Sequence, residues 1–186
     1  MRCRLVGSEM CIRDSFYSLK EMGHWVDKRE SNLLDGFAHF YDTYECSDNK
    51  FLAVGSIEPQ FYSELLDKLG IEEDKFKDQH NKELWPELKN IMSSKIKSKS
   101  RSEWIEIFKD SDACVSPVLS MEEAKKHPHN IEREAFIDID GFNQPNASPR
   151  YSVTKQEIKH NAKQVGADLD DICKEFNLSI DALKKT

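Results

Sequence analysis

In HFYDTYECSDNKFLAVGSI, residues 39–57, apolar and polar positions alternate on both sides of Ser47-Asp48-Asn49. That period of two predicts a β-hairpin whose turn uses Asn49 in the left-handed region. The period then changes. Glu58-Pro59 opens a helix, because proline is favoured in a first helical turn, and Phe61, Leu65, Leu66 and Leu69 share one face before Gly70 stops it. A second helix is predicted in ELWPELKNIMSSKIKSK, where Leu84, Leu88, Ile91, Met92 and Ile96 recur at helical spacing and Pro86 marks the first turn. Ser102 is the expected cap of a third helix, SEWIEIFKD, with Glu103 at its positive end and Trp104, Ile105 and Phe108 inward.

Beyond these, ACVSPVLS reads as a short strand, and Ser120 with Glu123 fits a capping box for a small helix ending near His127. REAFIDIDG reads as a strand and turn. Residues 144–149 hold two prolines and little periodicity, which predicts a linker. ADLDDICKEFNLSIDALKKT predicts two short helices broken at Asn177, and residues 16–32 read as a helix end followed by a connector. The middle of the chain is therefore an α+β unit, flanked by segments whose apolar faces have no evident partner.

Composition narrows the function classes. The chain has 186 residues, 38% hydrophobic and 10% aromatic, enough to bury a core. Charged residues make up 33% and the net charge is −7, with both signs interspersed, so no nucleic-acid footprint is expected. The one basic run, KIKSKSR at residues 95–101, reads as a solvated helix end. No apolar run approaches the roughly 18 residues of a membrane span, so none is expected.

The N-terminal stretch LVGSEMCIRDS, residues 5–15, resembles in one reading frame the translated end of a transposon-library sequencing adapter. Charges at Arg2, Arg4, Glu9, Arg13 and Asp14 interrupt any signal-peptide core. Residues 1–15 are accordingly expected to be adapter-derived, with the native reading starting near Phe16. Setting aside Cys3 and Cys11 leaves Cys46, Cys114 and Cys173, too scattered for a disulfide framework or a CxxC metal site. A reducing compartment, most simply a cytoplasm, is the expectation. His127 and His129 flank Pro128 without a third ligand at standard spacing, so no metal site is expected. Tyr41, Tyr44 and Tyr62 are expected to pack, with lining of an acyl pocket the alternative.

Four motifs, LDG, AVGSIEPQFY, DACVSPVLS and HPHN, stand in that order between about Asn32 and Arg150. Together they resemble the C-terminal half of family III CoA-transferases (CaiB/BaiF-like), in the branch that racemises 2-methylacyl-CoA thioesters. The resemblance implies a small α+β domain plus a tail returning to a Rossmann-like large domain built mainly from an N-terminal half not matched here. It divides the chain into a connector at residues 16–36, the small domain at 37–138, and a linker and returning segment at 139–186. It also implies interlocked homodimers, with each active site between the large domain of one copy and the small domain of the other.

The chemistry so implied is removal of the α-proton of an acyl-CoA and its return on the opposite face. No cofactor beyond the substrate's own coenzyme A is needed, since the thioester delocalises the charge as an enolate. In this branch a histidine paired with a glutamate serves one face and an aspartate the other. The IEPQF motif carries the glutamate, which is Glu58 here; the histidine and aspartate have no counterpart, and His24 and Asp35 do not fill those roles. By position alone Glu58 would be only a favourable charge at a helix start. His39 stands where relatives carry proline, Asn49 where they carry glycine, and CoA-contacting residues cannot be assigned. Two alternatives stay open: a sibling enzyme moving CoA between carboxylic acids, which would not need Glu58, and a non-catalytic association module.

Overall fold

The computed structural model describes residues 12–158 and 160–179. Most of the adapter-like stretch and the second of the two C-terminal helices lie outside the described residues. The chain divides into two compact units between Val118 and Leu119.

The first unit begins with α1 (Asp14–Glu21), which buries none of its residues, followed by a connector. The predicted hairpin is β1 (Tyr41–Glu45) and β2 (Phe51–Gly55), paired antiparallel with Tyr41 opposite Gly55 and Tyr44 opposite Leu52. Asn49 takes φ 57° in its turn, the left-handed conformation that asparagine tolerates better than most residues. β3 (Val115–Pro117) adds antiparallel to β2, giving the order β1-β2-β3. Pro117, which cannot donate to a ladder, sits in this edge strand.

The sheet sends Tyr44, Leu52 and Val54 into the core. Against that face pack three helices. α2 (Pro59–Leu69) starts at Pro59 and ends at Gly70, whose φ of 64° only glycine adopts without strain. Its buried positions are Tyr62, Leu65 and Leu69, so Tyr62 takes the place predicted for Phe61, which stays half-buried. α3 (Trp85–Ile96) buries Trp85, Leu88, Met92 and Ile96. α4 (Arg101–Phe108) buries Trp104 and Phe108.

The cap of α4 differs from expectation. It is Ser100, not Ser102: Ser100 has extended backbone, accepts from the Glu103 amide, and donates its own amide to the Glu103 carboxylate at 2.8 Å. The capping box requires a spacing of three, and Ser100-Glu103 supplies it where Ser102 has only Ile105. The basic run divides accordingly: Lys97 pairs at the surface with Glu45, while Arg101 is buried and donates to the Val118 carbonyl.

The second unit contains α5 (Met121–Lys126), α6 (Pro128–Glu132), the hairpin β4 (Phe136–Ile139) and β5 (Phe142–Pro145), and α7 (Leu169–Glu175). The Ser120-Glu123 capping box starts α5 as predicted. The predicted linker at 144–149 begins too early, because Gln144 and Pro145 belong to β5. Asp140 and Gly141 form the turn with φ of 53° and 82°, the two positive angles of a tight hairpin turn, and the Gly141 amide donates to Asp138. The Asp-Gly pair was the signal for this strand. Asn177, at φ 54°, ends the α7 segment. No helix among the described residues is long and apolar enough to cross a membrane.

Candidate active site

Glu58 lies at the turn where β2 becomes α2. It is the residue capping α2 on its N-terminal side, with φ −73° and ψ 141°, and Pro59 follows in the first helical position. Proline there lacks an amide, and the Glu58 side chain makes no capping hydrogen bond to the amides that follow. Its carboxylate is exposed and, among the described residues, has no hydrogen-bond or ion-pair partner.

The backbone beneath it is tightly held. The Ser56 amide donates to the Phe40 carbonyl (3.0 Å), and the Ser56 hydroxyl donates to the Ala113 carbonyl (2.5 Å). The Gln79 side-chain amide donates to the carbonyls of Ser56 (3.1 Å) and Ile57 (3.0 Å). Ser56 is fully buried and Gln79 nearly so. A free carboxylate on a fixed backbone is suited to receive a hydrogen bond from another group.

Beside this turn lies the outer face of the sheet. Tyr41, Thr43, Ala53, Gly55, Cys114 and Ser116 line an open cavity of about 440 Å³ there. The small residues Ala53, Gly55 and Ser116 leave that face unfilled. Cys114 is an exposed free thiol at φ 52°, and its carbonyl accepts the Gly55 amide at 3.0 Å. Partial desolvation, then the negative charges of Glu58, Asp112 and Glu64, raise its pKa and keep it a thiol.

The tyrosines part company. Tyr44 and Tyr62 are buried, one donating to the His39 carbonyl (2.5 Å), the other sharing a 2.6 Å hydrogen bond with His39 Nε2. Only Tyr41 lines the cavity. Both buried phenols are held neutral by desolvation. His39 itself is fully buried against Phe40, Tyr62 and Phe76, and desolvation followed by the nearby His80 lowers its pKa to about 4.

His24 instead borders a separate apolar cavity with Trp25, Leu33 and Trp85. The Asp35 carboxylate accepts from the amides of Ser31 (3.1 Å) and Asn32 (2.9 Å) and from the Asn32 side chain (2.7 Å). Burial opposes its ionisation, but these hydrogen bonds prevail and lower its pKa, as expected of a loop-ordering carboxylate. His127 joins α5 to α6. Among the described residues no three histidine, cysteine, aspartate or glutamate side chains converge to hold a metal.

The model of CoA-transferase family III matches residues 11–169. The chain belongs to CoA-transferase family III. Among curated family relatives, an alpha-methylacyl-CoA racemase from Mus musculus is 40% identical over 88% of this chain and 43% of its own length. One from Homo sapiens is 41% identical over 72% of this chain and 34% of its own length. The chain thus spans less than half the length of these relatives. A CAIB/BAIF family protein from Brucella suis shares the fold, with a TM-score of 0.66 at 14% identity over 92% of this chain and 46% of that one. A hypothetical protein from Mycobacterium tuberculosis aligns with a TM-score of 0.57 at 13% identity over 84% of this chain and 46% of that one.

Sequence reasoning pointed to Glu58 and missed its surroundings. Gln79 lies 21 positions beyond Glu58 in a polar stretch, and nothing in that stretch's pattern marks it for burial. Cys114 was noted only as a scattered thiol.

Proposed function

We propose that this chain contributes the glutamate-bearing part of an acyl-CoA racemase, which epimerises 2-methylacyl-CoA thioesters. The observation that carries the reading is Glu58: within IEPQF, its unpartnered carboxylate stands on a backbone held by Ser56 and Gln79. The identity of about 40% to the two curated racemases supports the choice of reaction within the family.

In the reaction so proposed, a base removes the α-proton, the thioester carbonyl takes up the charge as an enolate, and an acid on the other face returns a proton. Glu58 accepts a hydrogen bond from the ring N–H of the acid/base histidine. That fixes the tautomer and leaves the other nitrogen free to exchange the proton with substrate. The positive end of α2 favours a negative charge at this place. The histidine and the opposing aspartate come from the large domain of the full-length protein, in a homodimer whose sites combine both copies. The chemistry requires no redox cofactor or metal, because the enolate is stabilised by the thioester and its surroundings. These 186 residues alone supply one of the three groups and are expected to be inactive.

The test uses a polypeptide of the relatives' full length that contains this chain. Incubated in D2O with one epimer of a 2-methylacyl-CoA, it should incorporate deuterium at the α-carbon while the mixture approaches both epimers. Transfer of CoA to an added carboxylic acid, without α-deuteration, would assign it to the transferases.

A further inference from the structure

The carbonyls of Ser56 and Ile57 lie just before α2, so neither belongs to the helical hydrogen-bond ladder. One side chain serves both. The Gln79 amide nitrogen has two hydrogens and lies 3.1 Å and 3.0 Å from these oxygens. Gln79 is only 7% exposed, and its backbone carbonyl accepts from the indole N–H of the buried Trp85 at 2.7 Å. The clamp is anchored in the core.

Its two contacts are not equivalent. Ser56 is already fixed by its amide and its hydroxyl. The Ile57 oxygen belongs to the peptide group whose nitrogen is that of Glu58. Rotation of that plane changes ψ of Ile57 and φ of Glu58 together, and so redirects the Glu58 side chain. Because the carboxylate has no partner of its own among the described residues, its placement comes from the backbone. Misplacing a reacting group by about 1 Å can cost on the order of 100-fold in rate.

We propose that Gln79 is a positioning residue for Glu58: by holding the Ile57-Glu58 peptide plane, it sets where the carboxylate meets the acid/base histidine. The inference rests on the role of Glu58 proposed above.

A double-mutant cycle in the full-length protein tests it. Gln79→Met keeps a similar length and removes both donors. It should lower kcat about 10-fold or more with KM within about 3-fold. Combined with Glu58→Gln it should add less than about 2-fold to the loss caused by Glu58→Gln alone, because Gln79 acts only through that carboxylate. Turnover of Gln79→Met within about 2-fold of the parent overturns the proposal, as does a double variant that suffers both losses in full. If Glu58→Gln itself turns over normally, the role of Glu58 fails first and separately. Where Gln79→Met does not fold, Gln79→Asn, which keeps the amide and reaches less far, takes its place under the same criteria. Failure of both to fold makes Gln79 purely structural and overturns the proposal.

Discussion

The two units of this chain use the same local devices with different results. Ser100-Glu103 and Ser120-Glu123 are both complete capping boxes, yet α4 carries Trp104 and Phe108 into a core while α5 buries nothing. Both units contain an antiparallel hairpin. The first sends Tyr44, Leu52 and Val54 under three helices; in β4 and β5 of the second no residue is fully buried. Among the described residues that are apolar and buried, only Cys173 belongs to the second unit. Helix starts and turns are local chemistry, whereas stability depends on what the resulting faces cover. The difference explains why Glu58 is so firmly placed, since its turn is tied to Phe40, Ala113 and Gln79 of the first unit.

The contrast can be broken most forcefully in the core. Trp104→Ala should cost about 3–5 kcal/mol, as a large aromatic is lost together with its hydrogen bond to the Ile96 carbonyl. Denaturant unfolding followed by fluorescence of Trp85 would measure it. A loss below about 1 kcal/mol would show that the first unit is not organised around this core.

A slightly smaller effect is expected from pH. His39 has a native pKa of about 4 against about 6.5 when unfolded. Above pH 6.5 both states are neutral and the stability is fully present. As pH falls from 6.5 to 4 the unfolded chain binds a proton that the native state refuses. About 3 kcal/mol is lost across that window, and none further from this group below it. His39→Gln should remove this slope from the stability profile, measured against the parent between pH 7 and 4. Parallel profiles would exclude His39 as the source.

The caps sharpen the comparison. Ser100→Ala should lower the stability of the first unit by about 1 kcal/mol, because α4 is packed into its core. Ser120→Ala should leave that unfolding midpoint unchanged and raise only the amide exchange of α5. Equal effects on global unfolding would mean that the units fold as one. Smallest of all, Phe142→Ser, at a position 69% exposed, should change stability by no more than about 0.5 kcal/mol.

Much of this was legible from local pattern. The alternation around Asn49, the Pro59 start and Gly70 stop of α2, and the Ser120-Glu123 box each act within a few residues and were read as such. The differences are also local: a capping box needs a spacing of three, which Ser100 meets with Glu103 and Ser102 does not, and the strand and turn read in REAFIDIDG continue into a returning strand, Phe142–Pro145, that runs into the expected linker. Tyr62 and His39 show a different limit. Each is polar at one end, and only the fold reveals that Tyr62 pairs with His39 Nε2 inside the core, while His39 Nδ1 finds no partner among the described residues. Gln79 could not be found at all, since its value lies in two carbonyls on another segment. The motif singled out Glu58; its supporting clamp is a tertiary feature without a sequence period.

The central claim is that Glu58 orients an acid/base group, and its most direct test is turnover of Glu58→Gln in the full-length protein, followed as α-deuterium exchange into a 2-methylacyl-CoA. The account predicts a fall of about 10-fold or more in kcat, with the fold intact by circular dichroism. Exchange at the parent's rate would contradict it and return Glu58 to the role of a charge at a helix start.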